Sequence, residues 1–303
     1  MRVACTTWAG GGNVVVFEAL AARLRARGHE VTVDVGWDRP ASVDGDVLLV
    51  DHMSTLSVFD AARASGRPVA ALVHTLWSFV PMLEGTFAPA GYLDALRSLD
   101  RLLLCTVESF DGARDVPRNA TYVGPVLEPE GPDAGWSPPP RSLVVVSMGT
   151  TDMGEAPVLQ RVLDALEPLP VDVVATLPAH IDAGSLRVPA NAQLLPLTRH
   201  AALLPHADLF IGHAGHGGIM AAMAFGVPIV CVPLDRDQPS NAARVEAVGA
   251  GRTVAKDADA ATMADVFEAV RRGSREREGA IAMANAIAEY GNAAVDAVES
   301  LAR

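Results

Sequence analysis

The sequence predicts an α/β protein of two domains, each a doubly wound and mostly parallel sheet. Three observations carry that expectation. Short apolar runs such as 47–50, 69–73, 142–146 and 228–233 read as strands buried on both faces, the pattern of a parallel sheet covered by helices. Between them lie helix-length stretches with apolar residues three and four apart, several of them ended by glycine. The chain is 303 residues long, which on the usual length of domains means two, and half of it is apolar, enough for two cores.

Acidic residues outnumber basic ones 36 to 24, for a net charge of −12, and Lys256 is the only lysine. That balance disfavours nucleic acid and anionic membranes as partners. Cys5, Cys105 and Cys231 stand far apart in apolar runs, with neither metal-ligand nor disulfide spacing. Buried free thiols in a reducing cytoplasm are therefore expected. The opening MRVACTTW lacks the basic-then-apolar pattern of a secretory signal, and the longest uncharged stretch, 219–234, is interrupted by Gly226, Pro228 and Pro233. No membrane span is expected.

Taken in order, 2–6 is a strand and 8–12 a glycine turn. Residues 14–27 form a helix with apolar positions at 16, 17, 20, 21 and 24, closed by Gly28, and 30–35 is a second strand. This βαβ unit admits a dinucleotide-binding reading through Gly10, Gly12 and Asp34, but Val15 occupies the place of the third small residue. Strand 47–50 ends in Asp51-His52, and strand 69–73 in His74-Thr75. A histidine near its ordinary pKa is the best general base at neutral pH. His74, or else His52, oriented by Asp51, is thus a candidate base; a structural histidine bonded to backbone is the other reading. Trp77, Phe79, Met82, Leu83, Phe87 and Tyr92 follow, and either line an apolar pocket or belong to the core. Strands at 101–106 and 120–123 complete the first domain. Residues 124–140 hold six prolines and read as a linker.

The second domain opens with strand 142–146 and the loop Ser147-Met148-Gly149-Thr150. A helix at 156–166, strands at 171–176 and 192–195, Leu197 and a short helix at 199–205 lead into DLFIGHAGHGGIMAAMAFGVPIVCVPLDRDQPSN, residues 208–241. That stretch reads as strand 208–212, glycine turn 213–218, helix 219–225 closed by Gly226, strand 228–233, and a turn carrying Asp237 and Gln238. In an open α/β sheet, ligands sit outside the carboxyl ends of the strands, where the turn and the Asp-Gln pair both fall. A helix N-terminus offers unpaired N–H groups and partial positive charge. Gly215, Gly217 and Gly218 let an anion come close, and His213 and His216 add donors. Asp237 and Gln238 suit hydroxyl groups, so a polyhydroxylated ligand bearing a diphosphate satisfies the whole set. Beyond come a turn and helix start at 253–264, a charge run at 271–278 read as a solvated helix face, and an amphipathic helix at 281–301.

HAGHGG, GVPIVCVP and DQPSNAARVEAVGAG together resemble the nucleotide-sugar signature of GT-B glycosyltransferases, most of all the bacterial family-1 enzymes that glycosylate natural products. The resemblance is strong from about residue 142 to 254, weaker over 1–35 and poor over 36–125. It implies two Rossmann-like domains facing a central cleft. The parts are a shortened acceptor domain over 1–123, the linker over 124–140, a nucleotide-sugar donor domain over 141–280, and a helix over 281–303 crossing back to the first domain. It also implies inverting, metal-free sugar transfer to a small apolar or aromatic natural-product acceptor, with an NDP-sugar as co-substrate and no cofactor. Ser147, Gly149 and Thr150 match the family's phosphate-contacting loop, and Leu197 stands where the nucleobase packs. His213, Gly215, His216, Gly217, Gly218, Asp237 and Gln238 match its donor-binding stretch. Ala221 replaces the ribose-binding glutamate of many uridine-diphosphate users, which favours a deoxythymidine-diphosphate deoxysugar over a UDP-sugar.

The family's base, a histidine at the end of the first loop, is Asn13 here, and an amide takes no proton at neutral pH. That departure keeps two other readings open: a non-catalytic helper that retains the fold, and a sugar-nucleotide epimerase or hydrolase. The shortened first domain leaves room for a second copy or another partner to complete it.

Overall fold

A computed structural model of the chain describes residues 1–10, 12–36, 44–128 and 137–302. Residues 129–136 of the expected linker, and residue 303, lie outside the described residues. One unit consists of Met1–Glu128 with Glu289–Arg303, and a second of Pro129–Ala288.

The first unit holds six parallel strands: β1 (Arg2–Thr7), β2 (Glu30–Val35), β3 (Val47–Asp51), β4 (Val69–Val73), β5 (Arg101–Leu104) and β6 (Ala120–Tyr122). Their order across the sheet is β2-β1-β3-β4-β5-β6. β3 and β4 are buried at every residue, as unbroken apolar runs require of strands covered on both faces. The connections carry α1 (Asn13–Ala26), α2 (Leu56–Ala64), α3 (Tyr92–Arg97) and α4 (Glu108–Asp111). Phe17, Leu20, Ala21 and Leu24 of α1 join Val3, Cys5 and Leu49 in one core. Gly28 ends the helix by taking φ +86°, a left-handed conformation that glycine adopts without strain.

The second unit is also a six-stranded parallel sheet: β7 (Leu143–Ser147), β8 (Asp172–Leu177), β9 (Ala192–Pro196), β10 (Ala207–Gly212), β11 (Ile229–Cys231) and β12 (Gly251–Thr253). The order is β12-β11-β10-β7-β8-β9. Its helices are α5 (Ala156–Leu166), α6 (His200–Leu203), α7 (His216–Ala224), α8 (Gln238–Ala247), α9 (Ala260–Arg272) and α10 (Ser274–Ala288). α5 buries Val158, Leu159, Val162, Leu163 and Leu166, the face its spacing sets apart.

Each sheet is wound outward in both directions from its first strand. The reversal falls between β1 and β3 in one unit and between β7 and β10 in the other. At such a point the connections diverge and leave a crevice beyond the carboxyl ends of the strands. Register sets Ser147 opposite Gly212, and Gly212 opposite Cys231, at that end of the second sheet.

Two expectations are corrected. The single amphipathic helix over 281–301 is instead α10 followed by α11 (Ala293–Leu301), separated at Gly291, whose φ of +47° stops the helix. α10 belongs to the second unit and α11 to the first, where Val295 and Val298 enter the core. The charge run 271–278 is not one solvated face. It spans the end of α9 and the start of α10, and Glu276 is buried against Arg252, with Nε–Oε1 at 2.8 Å.

All three cysteines are free and buried, and burial pushes the thiols of Cys5 and Cys105 up to about 12. Among the described residues no helix is long and apolar enough to cross a membrane.

Candidate functional site

In the second unit, β10 delivers His213 at its carboxyl end, and α7 begins at His216 after a turn through Ala214 and Gly215. The turn has an unusual backbone. Ala214 takes φ +67°, a region that costs a residue with a Cβ about 1–2 kcal/mol. Gly215 is the N-cap and supplies no side-chain cap, so no cap side chain takes up the first N–H groups of α7. Beside Gly217 there is open space.

The His213 ring fills the gap between two glycines. A Cβ at Gly149 would lie 3.0 Å from its Cε1, and one at Gly215 2.4 Å from its Nε2. Gly149 itself takes φ +110°. Burial lowers the His213 pKa in spite of the nearby Asp237 and Glu155 carboxylates, so the ring is neutral at pH 7. Ser147 is buried at the end of β7, Thr150 is exposed, and His216 is buried in the first turn of α7. Leu197, just beyond β9, is 55% exposed.

The Asp-Gln pair has divided roles. Asp237 is half-buried at the N-cap of α8 and follows Arg236, which takes φ +62°. Ala214 and Arg236 are the only left-handed residues other than glycine among the described residues, and both lie in this site. Such outliers persist where the surroundings enforce them, and they gather at functional sites. Gln238 is buried, and its Oε1 accepts from the backbone N–H groups of Leu234 at 2.7 Å and Asp235 at 3.1 Å. Its Nε2 donates to Met153 Sδ at 3.4 Å. Gln238 is thus placed as a brace for the Asp237 loop rather than as an open ligand for a hydroxyl.

Sequence reasoning missed Asn241. It lies on α8, fully buried, and its Nδ2 donates to Ala214 O and to Asp237 Oδ2, each at 3.0 Å. The signal was available: position 241 is four residues after Asp237, hence on the same face of any helix starting there.

In the first unit, Asp51 ends β3 and is fully buried. Its Oδ2 accepts from Thr7 Oγ1 at 2.7 Å, and its Oδ1 from Met53 N at 2.9 Å. His74 Nε2 lies 3.1 Å from the same Oδ1. Burial alone would raise the Asp51 pKa, but the His74 charge and the hydrogen bonds of both histidines hold it well below the usual carboxylate range. His52 is 2% exposed, with Nδ1 at 3.2 Å from Leu72 O, and burial lowers its pKa. Its ring meets that of His74 edge-on at 4.4 Å between centroids. His74 has 12% of its side chain exposed, so of the two histidines it is the one open towards solvent.

Asn13 opens α1, the helix that follows the neighbouring strand β1. It is 8% exposed, and its Nδ2 has no hydrogen-bond partner among the described residues. Of the apolar residues after His74, Trp77, Phe79, Leu83 and Tyr92 are core, while Met82 and Phe87 are more than half exposed.

Buried polar atoms without a partner among the described residues include Thr6 Oγ1, Asn13 Nδ2, His213 Nδ1 and Asn241 Oδ1. Folded proteins leave few such atoms, and these four lie at or near the two crevices. Two clusters of metal-ligand type also occur among the described residues: Asp51, His52 and His74, and Asp152, Glu155 and His180. In the second, Glu155 is already bound to His180 and to Met153 N.

Residues 160–295 match the family model for the C-terminal domain of erythromycin biosynthesis protein CIII-like proteins. The chain is 34% identical over 220 residues to 4'-demethylrebeccamycin synthase of Lentzea aerocolonigenes, covering 69% of this chain and 51% of that protein. It is 37% identical over 156 residues to L-demethylnoviosyl transferase of Streptomyces niveus, covering 49% of this chain and 40% of that one. The chain thus spans about half the length, or less, of the curated relatives it matches. Among solved structures it resembles the glycotransferase of kitacinnamycin, with a TM-score of 0.81 and 20% identity over 99% of this chain and 98% of that one. Glycosyltransferase VinC in complex with DTDP gives a TM-score of 0.77 and 18% identity over 100% and 99% of the two chains.

Proposed function

We propose that the chain transfers a sugar from a nucleoside diphosphate to a natural-product acceptor, with inversion and without a metal; its GT-B fold and the likeness of residues 160–295 to the erythromycin CIII-like C-terminal domain support this reading. The observation that carries this reading is the uncapped N-terminus of α7 at the switch point of the second sheet, entered through left-handed Ala214 and flanked by Asp237.

A diphosphate at the N-terminus of α7 meets backbone N–H groups, the positive end of the helix dipole and the Ser147–Thr150 loop. These groups stabilise the negative charge that builds on the leaving oxygen, which is where fixed dipoles accelerate a reaction most. Neutral His213 can contribute one N–H donor to the same oxygens. Asp237 is the candidate ligand for sugar hydroxyls, and Leu197 the platform for the base.

On the acceptor side, His74 is the base. Asp51 accepts its Nε2–H and so fixes the ring's tautomer and orientation. As the acceptor hydroxyl loses its proton to His74, its oxygen bonds to the anomeric carbon, and the carbon–oxygen bond to the diphosphate breaks with its electron pair on the leaving group. Ala221 in α7, in place of an acid, favours a deoxythymidine-diphosphate deoxysugar over a UDP-sugar. One observation supports the helper reading: Asn13 stands at the place of the usual base, and an amide takes no proton at neutral pH.

The test begins with nucleotides. A ligand that binds only the folded state at a hundredfold excess over its Kd adds about 2.7 kcal/mol of stability. Either dTDP or UDP should raise the melting temperature, dTDP more, while NAD should not. A flat response to every nucleotide would remove the transferase reading. Nucleotide binding without turnover on any acceptor would favour the helper.

A further inference from the structure

We propose that Asn241 is a positioning residue of the donor site, holding the phosphate-facing turn and the sugar-facing carboxylate in one geometry; this rests on the donor-site reading above. Its amide donates through Nδ2 to Ala214 O and to Asp237 Oδ2, both at 3.0 Å. The orientation is fixed by chemistry, since a flipped amide would aim its oxygen at two acceptors. Ala214 is the left-handed residue whose backbone turns the chain into α7, and Asp237 is the N-cap of α8. One side chain therefore ties the two loops that together define the site.

The contact is costly to keep. Asn241 is fully buried, and its Oδ1 has no hydrogen-bond partner among the described residues. A buried orphan acceptor destabilises the fold, and so does the Ala214 backbone. An apolar residue in place of Asn241 would remove the orphan oxygen. Two unfavourable terms meeting at one side chain point to a role in geometry rather than in stability.

A ligand that touches only the phosphate turn should be nearly indifferent to Asn241, whereas a sugar bridging the turn and Asp237 should depend on it. The experiment compares Asn241→Ala with the parent chain in two assays. Calorimetry with dTDP or UDP is expected to give a Kd within about threefold of the parent. Transfer from the matching NDP-sugar is expected to fall about 10- to 100-fold in kcat/KM, because small misplacements of a reacting group cost that much. In an Asp237→Ala background the same substitution should cost less than about threefold, since the carboxylate it orients is gone. If Asn241→Ala does not fold, Asn241→Ser, which keeps one O–H donor, carries the same comparison with a smaller expected loss.

Parental kcat/KM in the variants would overturn the assignment. So would losses that add fully in the double variant, or a nucleotide Kd that weakens as much as transfer does. If the parent chain itself binds neither dTDP nor UDP, the donor-site reading fails and this inference falls with it.

Discussion

Asp51 shows how one buried carboxylate can organise its neighbours. It is fully buried, yet Thr7, Met53 and His74 all lie within hydrogen-bonding distance of its two oxygens, which is what keeps it ionised. The role proposed for His74 is directly testable. Replacing His74 with alanine should lower kcat about 100-fold, the usual contribution of a general base, and leave the KM for the donor unchanged. Stopped turnover measured at saturating donor checks this, and unaltered kcat would mean the base lies elsewhere. His52 stands next to His74 in space and shares the same carboxylate, but its ring faces a backbone carbonyl and is shut off from solvent. Sequence alone placed both histidines at strand ends and could not separate them, because exposure depends on which way each ring turns after its strand.

At the scale of elements, the strands were the legible part. An unbroken run such as residues 69–73 can hardly be anything but a strand covered on both faces, and β4 is buried throughout. The turns were less legible. Glycine marks a left-handed position plainly, but Ala214 and Arg236 carry no such mark, and only tertiary structure imposes their conformation. Gly291 was legible and overlooked: a Gly-Asn pair is a stop signal, and the apolar spacing on either side hid it. The Ala214 turn makes a prediction of its own. Ala214→Gly removes the clash of a Cβ in the left-handed region and pays back part of that gain as extra freedom in the unfolded chain. A net stabilisation of about 0.5–1 kcal/mol is expected in urea denaturation. A loss of stability would mean that the Ala214 methyl packs better than its backbone suggests.

For the whole molecule, pH is the simplest probe. His52 and His213 both have pKa values lowered by burial, from a starting value of 6.5. In the unfolded chain each takes up a proton as the pH drops below about 6.5, while in the folded chain each resists it. The unfolded state then binds more protons, so stability should fall between pH 7 and pH 5. Asp51 adds to this only in stronger acid, below about pH 4, as its depressed pKa is approached. Calorimetric melting at the two pH values decides it; a higher melting temperature at pH 5 would mean that neither histidine is neutral in the folded state. The two parallel-sheet halves were visible in the sequence, whereas the brace of Gln238 and the tie of Asn241 were not, because they depend on how side chains turn once the loops are folded. There remains the order in which the chain leaves the ribosome. The first unit needs Val295 and Val298 of α11 in its core, yet all of the second unit is synthesised before them. Domains that are continuous in sequence can fold during synthesis as units. The second unit is therefore able to mature first although it comes second, and the amino-terminal half must wait, with its sheet partly uncovered, for a helix that begins about 170 residues after its last strand ends.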